Sequence, residues 1–574
     1  MNLFSGYHKK ISESLKEMEK NKLILVPEDF KSITVELPPS NQTADMSCNA
    51  ALILSKINKI SPTKLAEIIK KNLLSEYKEF ENIDIAGPGF LNITFKNIFW
   101  SEYLIELIKL NEKYGYNKQN KKYNVEFVSA NPTGPLHVGH CRGAVLGDTL
   151  CNLLEFNGNH VVREYYVNDY GEQIKSFVKS IYHRILEITQ NTPFPNDSDL
   201  YPGDYIIDIS KKIIDTKSIK DFLDYEKIKE ILSTKSLKYS MEIIKNNLNL
   251  LGITHDNFVH ESELVKNNMV IKVVNNLKKE KYIYEGTLNP PKGELPKDWK
   301  TRKQLLFKST LFGDDVDRPL QKKDGTWTYF AGDMAYHADK ISRKFDVLIN
   351  ILGADHAGYT KRIISVTQAI SKNKVTLICK VSRLVKLFKN GQPFKMSKRK
   401  GDYITVEDLI KEVGKDSTRF MMLNRSNDVE LDFDFKKITE KSKDNPIFYI
   451  QYAYARINSI FRSLNINIED NIKFDKKNFF LNKYEIEILR KIAEWPKCVE
   501  LSSTKLEPHR IPFYLYELVT LFHSYWNQGS INKNYRFIPQ GEKPNISRLV
   551  LLKALGIVIN NGMTILGVST PKSM

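Results

Sequence analysis

Two short segments carry residue types suited to phosphate chemistry. In Pro135-Leu136-His137-Val138-Gly139-His140, two imidazoles stand three residues apart, a spacing that sets both on one side of a helical turn. The segment lies where an apolar strand-like run, YNVEFVSA (123–130), passes through Asn131-Pro132-Thr133-Gly134-Pro135 into a helical pattern from about Val138 to Phe156. Open parallel sheets bind ligands at such strand ends, and the unpaired N–H groups of a helix start face anions. Gly139 leaves room for a ligand or a second backbone. On residue types alone, His137 and His140 serve equally well as phosphate donors or as structural or metal-ligating histidines, because H-x-x-H is a weak signal. Some 255 residues further on, Lys395-Met396-Ser397-Lys398-Arg399-Lys400-Gly401 gathers cations on a loop of small and basic residues. Such a loop can neutralise a polyphosphate and close over it, or can be a solvated basic loop.

These motifs need a sheet to hold them. The strand, the loop, the helix and a second strand at VVREYYV (161–167) make the opening of a doubly wound α/β domain. Strands are expected again at WTYFAGD (327–333) and VLINILGAD (347–355), and the stretch 180–265 is mostly helical in pattern. Residues 1–118 read as a separate α/β domain. Phe4, Ile11, Leu15 and Met18 recur at helical spacing, as do the apolar residues of 62–75, while SITVEL (32–37), NIDIA (82–86) and FLNITF (90–95) alternate as strands. Gly87-Pro88-Gly89 joins the last two as a turn. From about 437 to the end the pattern is helical, as at Ile447, Ile450, Tyr454 and Ile457. The expected architecture is α/β: an N-terminal α/β domain (1–118), a Rossmann-type domain (119–436) with an insertion at about 180–265, and an all-α domain (437–574).

Charge narrows the partner. The 574 residues carry 86 Lys plus Arg against 68 Asp plus Glu, a formal net charge of +18. That excess fits a polyanion, either nucleic acid or an anionic membrane. No run is expected to reach the ~18 apolar residues that span a bilayer, and the N-terminus, MNLFSGYHKKISESLKEMEK, lacks the apolar stretch of a secretory signal. Nucleic acid is therefore the expected partner, with no membrane. Cys48, Cys141, Cys151, Cys379 and Cys498 are odd in number and far apart, without C-x-x-C. They read as small hydrophobes in a reducing cytoplasm, not as a disulfide framework or a zinc knuckle.

Together the two weak motifs form a specific pair. His-x-Gly-His early in a doubly wound fold with Lys-Met-Ser-Lys far downstream resembles the signatures of class I aminoacyl-tRNA synthetases. The stretches EFVSANPTGPLHVGHCRGAVLGD (126–148), REYYVNDYGEQI (163–174), YFAGDMAYHADK (329–340), GADHAGYTKR (353–362), KMSKRKGDYITVEDL (395–409) and DNPIFYIQYAYARI (444–457) narrow the resemblance to arginyl-tRNA synthetases of the bacterial type. It runs over essentially the whole chain. Val138 stands in place of the usual isoleucine, and Cys141 where relatives often have alanine or leucine. Lys398 is retained, and no lysine stands at 134, where family members lacking that second lysine often carry one.

The resemblance implies activation of L-arginine by ATP to arginyl-adenylate, then transfer of the arginyl group to the 3′ end of tRNA(Arg). In this reading His137, His140, Lys395 and Lys398 are catalytic and bind ATP together with Gly139, Met396 and Ser397. Mg2+ accompanies ATP, held by phosphates and water, and no zinc is involved. Asp314, Asp315 and Asp317 in GDDVD read as a polar turn, not a metal site. Glu126, Ser129 and Asn131 match contacts to the amino and carboxylate end of arginine. Tyr329, Asp333 and Glu261 match contacts to its guanidinium, and Asp355 a further polar contact. The N-terminal domain resembles the module that meets the tRNA elbow, with Phe90 to stack on a base and Asn92 to hydrogen-bond it. The helical domain matches the anticodon reader, with Tyr452, Ala455 and the terminal Met574 as tRNA contacts. A cytoplasmic monomer is expected. Two alternatives remain at this level: a nucleotidyltransferase of the same fold, and a non-catalytic tRNA-binding paralogue.

Overall fold

A computed structural model describes every residue except 40–41, 218, 220, 289–301, 395–403, 471, 473–475, 477–478 and 539–543. Lys395, Met396, Ser397 and Lys398 therefore lie outside the described residues. The chain forms two compact units, one of residues 119–439 and one of residues 1–118 with 440–574.

The first unit is built on five parallel strands in the order Thr376–Ser382, Val347–Gly353, Lys122–Glu126, His160–Val167, Asn257–His260. The strand that comes first in the chain is central, and the direction of winding reverses between it and Val347–Gly353. Ligands bind at such a switch point, outside the carboxyl ends of the strands. Lys122–Glu126 is buried from Tyr123 onward, as a strand covered on both faces must be. The helix Val138–Phe156 packs tightly on it. A Cβ on Gly147 would stand 2.3 Å from the Phe127 ring, so only glycine lets the helix backbone come this close.

One expected strand is a helix. Trp327, Thr328 and Tyr329 have strand-like propensity, yet the Thr328 hydroxyl caps the helix Tyr329–Ser342 by accepting from Ala331 N (3.4 Å). Phe330, Met334 and His337 then fall on its buried face. Burial at helical spacing, together with the cap, overrides local propensity. The stretch 180–265 is mostly helical as expected, with Glu172–Gln190, Asp204–Asp215 and Tyr225–Leu250 sharing an isoleucine-rich core that includes Ile181, Ile209 and Ile213. Its end is not part of an insertion, because Asn257–His260 is the fifth strand of the sheet.

In the second unit, an antiparallel sheet runs in the order Val35–Glu36, Met46–Cys48, Phe90–Phe95, Phe80–Ala86. Gly87 (φ +51°) and Gly89 (φ +131°) make the tight turn that joins the last two. The expected SITVEL strand shortens to Val35–Glu36. The helix Leu3–Lys20 buries Phe4, Ile11, Leu15 and Met18 as its spacing predicts. The two ends of the chain share a core here. The Trp495 indole donates to the Tyr114 carbonyl (2.9 Å), the Tyr114 hydroxyl donates to the Ile492 carbonyl (2.9 Å), and Arg490 pairs with the buried Asp45 (2.5 Å). Contrary to the expectation from sequence, the helix Ile546–Leu566 is long and apolar enough to cross a bilayer. Its most apolar stretch is 89% buried against the surrounding helices, so its apolarity is that of a core helix.

Candidate active site

The site begins where the central strand stops. Val128 (φ 70°) and Ser129 (φ 41°) are left-handed, and Ser129 N donates to the Phe127 carbonyl (3.0 Å). A β-branched residue in that region is strained, which is why the strand ends at Glu126 and does not run on to 130. The turn brings the Ser129 hydroxyl to Glu126 Oε1 (3.1 Å) and lets its oxygen accept from Tyr166 N (3.1 Å). Asn131 follows on the surface, where it donates to Gln173 (2.6 Å).

The two histidines begin the next helix together. His137 is its N-cap, and its Nδ1 accepts from Gly139 N (3.0 Å), while His140 Nδ1 accepts from His137 N (3.4 Å). The ring centroids lie 3.9 Å apart, with the planes tilted by 36°. Because each Nδ1 accepts, each neutral ring carries its proton on Nε2 and so presents a donor. Burial keeps them neutral. It lowers the pKa of His137, and with the neighbouring His137 it brings His140 down to about 4 against the opposing charge of Asp355. Gly139 is required for a geometric reason: a Cβ there would stand 2.8 Å from the His137 ring. Gly134 is constrained by space and not by backbone angle, since its Cβ would lie 3.0 Å from the Tyr205 ring. The segment that follows the basic motif returns to this helix start. Val138 N donates to the Ile404 carbonyl and Val406 N to the Leu136 carbonyl, both at 2.9 Å.

A group of carboxylates gathers at the carboxyl end of the same sheet. Asp333 projects from the helix Tyr329–Ser342, Glu261 from the helix Glu261–Lys266, and Glu126 from the strand end. All three act on the Tyr166 hydroxyl, whose pKa is raised by burial and then by Glu261, Asp333, Glu126 and Asp169. Asp333 and Glu261 have neutral partners: the Tyr359 hydroxyl donates to Asp333, and the Asn168 amide, oriented by its surroundings, donates to Glu261. Burial, with the charge of Glu126, pushes Asp333 up to about 7. Burial, with the charges of Asp333 and Asp169, does the same to Glu261. The Lys340 charge offsets only part of this rise at Asp333, and two desolvated acids that hydrogen-bond no cation among the described residues can receive one.

This arrangement has a pH signature. An arriving cation favours the ionised carboxylates, so binding expels protons that the empty pocket holds below pH 7. Arginine affinity should therefore climb as pH rises from about 6 to 8 and level off above, with proton release on binding. Calorimetry in two buffers of different ionisation heat measures both, and a flat affinity with no proton release would contradict the assignment.

The other expected site residues are distributed unevenly. Tyr329 is 76% exposed at the helix start, with Lys322 5.5 Å from its ring centre, and the phenol that meets Asp333 is Tyr359. Asp355 is exposed and pairs with His356 (3.2 Å). Asp314 pairs with Arg318, Asp315 with Lys361, and Asp317 accepts from Thr310 and Tyr284, so the GDDVD carboxylates are engaged within a polar turn. In the other unit Phe90 is 38% exposed, whereas Asn92 is 5% exposed and donates to Gln42. Tyr452 is half-buried and stacked beside Phe448, with Arg456 4.2 Å from its ring centre. Ala455 is buried and Met574 is exposed. Tyr166, Asn168, Tyr359 and Lys340 were not singled out from sequence. Only the fold brings the chain around 359 back over Asp333, and no local pattern marks it.

Comparison with known proteins decides the family. Residues 104–461 match the class I tRNA synthetase (R) catalytic domain, residues 6–95 the arginyl tRNA synthetase N-terminal domain, and residues 450–574 the DALR anticodon binding domain. The arginine–tRNA ligase of Pelagibacter ubique is 54% identical over 577 residues, covering 100% of both chains. The chain belongs to the arginyl-tRNA synthetase family. Another member, the arginine–tRNA ligase of Bartonella bacilliformis, is 43% identical over 588 residues with 100% of both chains covered. The fold of the Thermus thermophilus arginyl-tRNA synthetase matches with a TM-score of 0.72 over 100% of each chain, at 18% identity. The expected α/β class, with a parallel catalytic sheet and a helical C-terminal part, is thus borne out, and full-length membership leaves neither alternative reading with support.

Proposed function

We infer that this protein activates L-arginine with ATP and transfers the arginyl group to tRNA(Arg), with arginine held at the switch point of the parallel sheet. The observation that carries this reading is the pair Asp333 and Glu261, desolvated and hydrogen-bonded to no cation among the described residues, at the carboxyl end of the sheet whose next helix starts with two neutral imidazole donors. Arginine's guanidinium supplies the missing charge. Its head group then lies toward Glu126, Ser129 and Asn131 at the strand end, with the carboxylate directed at the α-phosphate of ATP. The Nε2–H groups of His137 and His140 donate to phosphate oxygens as negative charge grows on them, and no covalent enzyme intermediate is needed.

Lys395 and Lys398, with Met396 and Ser397, close over the leaving pyrophosphate. The hydrogen bonds between Ile404–Val406 and Leu136–Val138 support this, because they tie the chain just beyond that motif to the histidine turn. Mg2+ comes with ATP and is held by its phosphates and water. Residues 1–118 meet the tRNA elbow and residues 437–574 the anticodon, with the exposed Phe90, the Arg456-flanked Tyr452 and the terminal Met574 as contacts. The net charge of +18 supports an RNA partner of this extent. The protein works as a cytoplasmic monomer.

Activation is expected to need the tRNA as well as the amino acid. Purified, RNA-free protein should show near-background ATP–pyrophosphate exchange with arginine, rising on addition of uncharged tRNA. Full exchange without tRNA would refute that requirement, and none under either condition would refute the activation reaction.

A further inference from the structure

The helix that supplies Asp333 carries a lysine two turns on. Lys340 is fully buried, and its Nζ donates to Glu126 Oε2 (2.5 Å) and to Asn350 Oδ1 (2.9 Å) while lying 4.4 Å from the Tyr336 ring centre. Asn350 and Glu126 are register partners on adjacent parallel strands, so the ammonium bridges two neighbours of the sheet. The remaining bonds have one direction only. With Asn350 Oδ1 turned to Lys340, its Nδ2 meets His337 Nε2 (3.1 Å), which must accept. The His337 proton is then on Nδ1, which donates to the Asp333 carbonyl (2.8 Å). Burial and the Lys340 charge bring the His337 pKa down to about 4, so the ring adds no second cation.

The consequence is an asymmetric pocket. At the strand end a carboxylate is permanently matched by an ammonium that has no exposed side-chain surface and cannot swing into water. At the other end the hydrogen-bond partners of Asp333 and Glu261 among the described residues are the neutral Tyr359 and Asn168, and the charge of Lys340 reaches Asp333 without a direct contact. A ligand with a cation at each end finds net negative charge at one end only. We propose that Lys340 is a specificity-determining positioning residue: acting through Glu126, it holds the head-group end of the pocket near neutrality, so that an ammonium is accepted there only together with the ligand's own carboxylate. The pocket then selects arginine over the same molecule without its carboxylate, agmatine, which carries two positive charges. This rests on the orientation given above, with the guanidinium at Asp333 and Glu261.

Calorimetric titration of full-length wild type, Lys340→Met, Lys340→Gln and Lys340→Arg with L-arginine and with agmatine tests this. Wild type should prefer arginine. Both variants that remove the charge should lower the ratio of arginine to agmatine affinity by about tenfold or more, since a fixed charge a few ångströms away in a desolvated site acts strongly. Lys340→Arg should retain most of the preference, and Lys340→Gln keeps hydrogen-bonding capacity toward Glu126 and Asn350 should the apolar variant fail to fold. An unchanged ratio in the charge-removing variants overturns the proposal, as does an equal fall in Lys340→Arg, which would mean that packing rather than charge decides. Wild type that binds neither ligand would instead contradict the assignment of the pocket to arginine.

Discussion

Asparagine in place of Asp333 should raise the arginine concentration for half-maximal charging by about a hundredfold or more, with the ATP requirement within about twofold. Asparagine preserves size and can still meet the Tyr359 hydroxyl, so the change isolates the charge. What is lost is one of the two carboxylates proposed to receive the guanidinium, in a site where burial strengthens every charge interaction. The variant should also lose part of the rise in arginine affinity between pH 6 and pH 8, because one of the two groups that titrate there is gone. Steady-state charging at varied arginine and ATP distinguishes the outcomes. Equal losses in both substrates would remove Asp333 from the amino-acid pocket.

Alanine in place of His140 should act on the opposite side of the reaction. The rate of adenylate formation is expected to fall by about 10²–10³-fold, the usual consequence of removing one donor from developing charge, with little change in the KM for arginine. Both rings take part in capping the helix, and His140 is the milder variant because its bond from His137 N (3.4 Å) is longer than that from Gly139 N to His137 (3.0 Å). The neutral state of the ring adds a second expectation. With a pKa near 4, His140 does not titrate between pH 6 and 8, so wild-type kcat should show no inflection from it there. Single-turnover measurement of pyrophosphate release separates this step from transfer and product release. A large rise in the KM for arginine at constant kcat would place His140 in amino-acid binding instead.

What could be read from the sequence follows from how local each signal is. The helix Val138–Phe156 and the strands Lys122–Glu126 and His160–Val167 are legible because apolar periodicity and a Pro/Gly-rich break mark them within a few residues. The histidine pair is legible for the same reason. WTYFAGD misleads because its aromatic residues favour a strand, while the deciding feature is a single cap at Thr328 and a buried helical face packed by distant parts of the chain. The left-handed turn at Val128 and Ser129 has no glycine to announce it, since tertiary contacts impose it. Family resemblance, not pattern, points to the carboxylates Asp333, Glu261 and Glu126. Their partners Tyr359, Asn168 and Lys340 were missed because each is defined by a contact across the fold, 26 residues away from Asp333 in the case of Tyr359 and 214 from Glu126 in the case of Lys340. Asn92 shows the converse. The family resemblance points to it as a nucleic-acid contact, while its side chain is 5% exposed and donates to Gln42, which the local alternation does not foretell.

In the proposed function one pocket, built on Asp333 and Glu261, selects the amino acid to be joined to tRNA. The most direct test is ATP-dependent charging of total tRNA by the full-length protein, with each of the standard amino acids supplied in turn as the labelled substrate. Arginine should be esterified to tRNA, and neither lysine, which places a single ammonium where two carboxylates await a planar five-donor group, nor any uncharged amino acid should be. Charging with a different amino acid, or none with arginine when ATP, Mg2+ and tRNA are all present, would contradict the account.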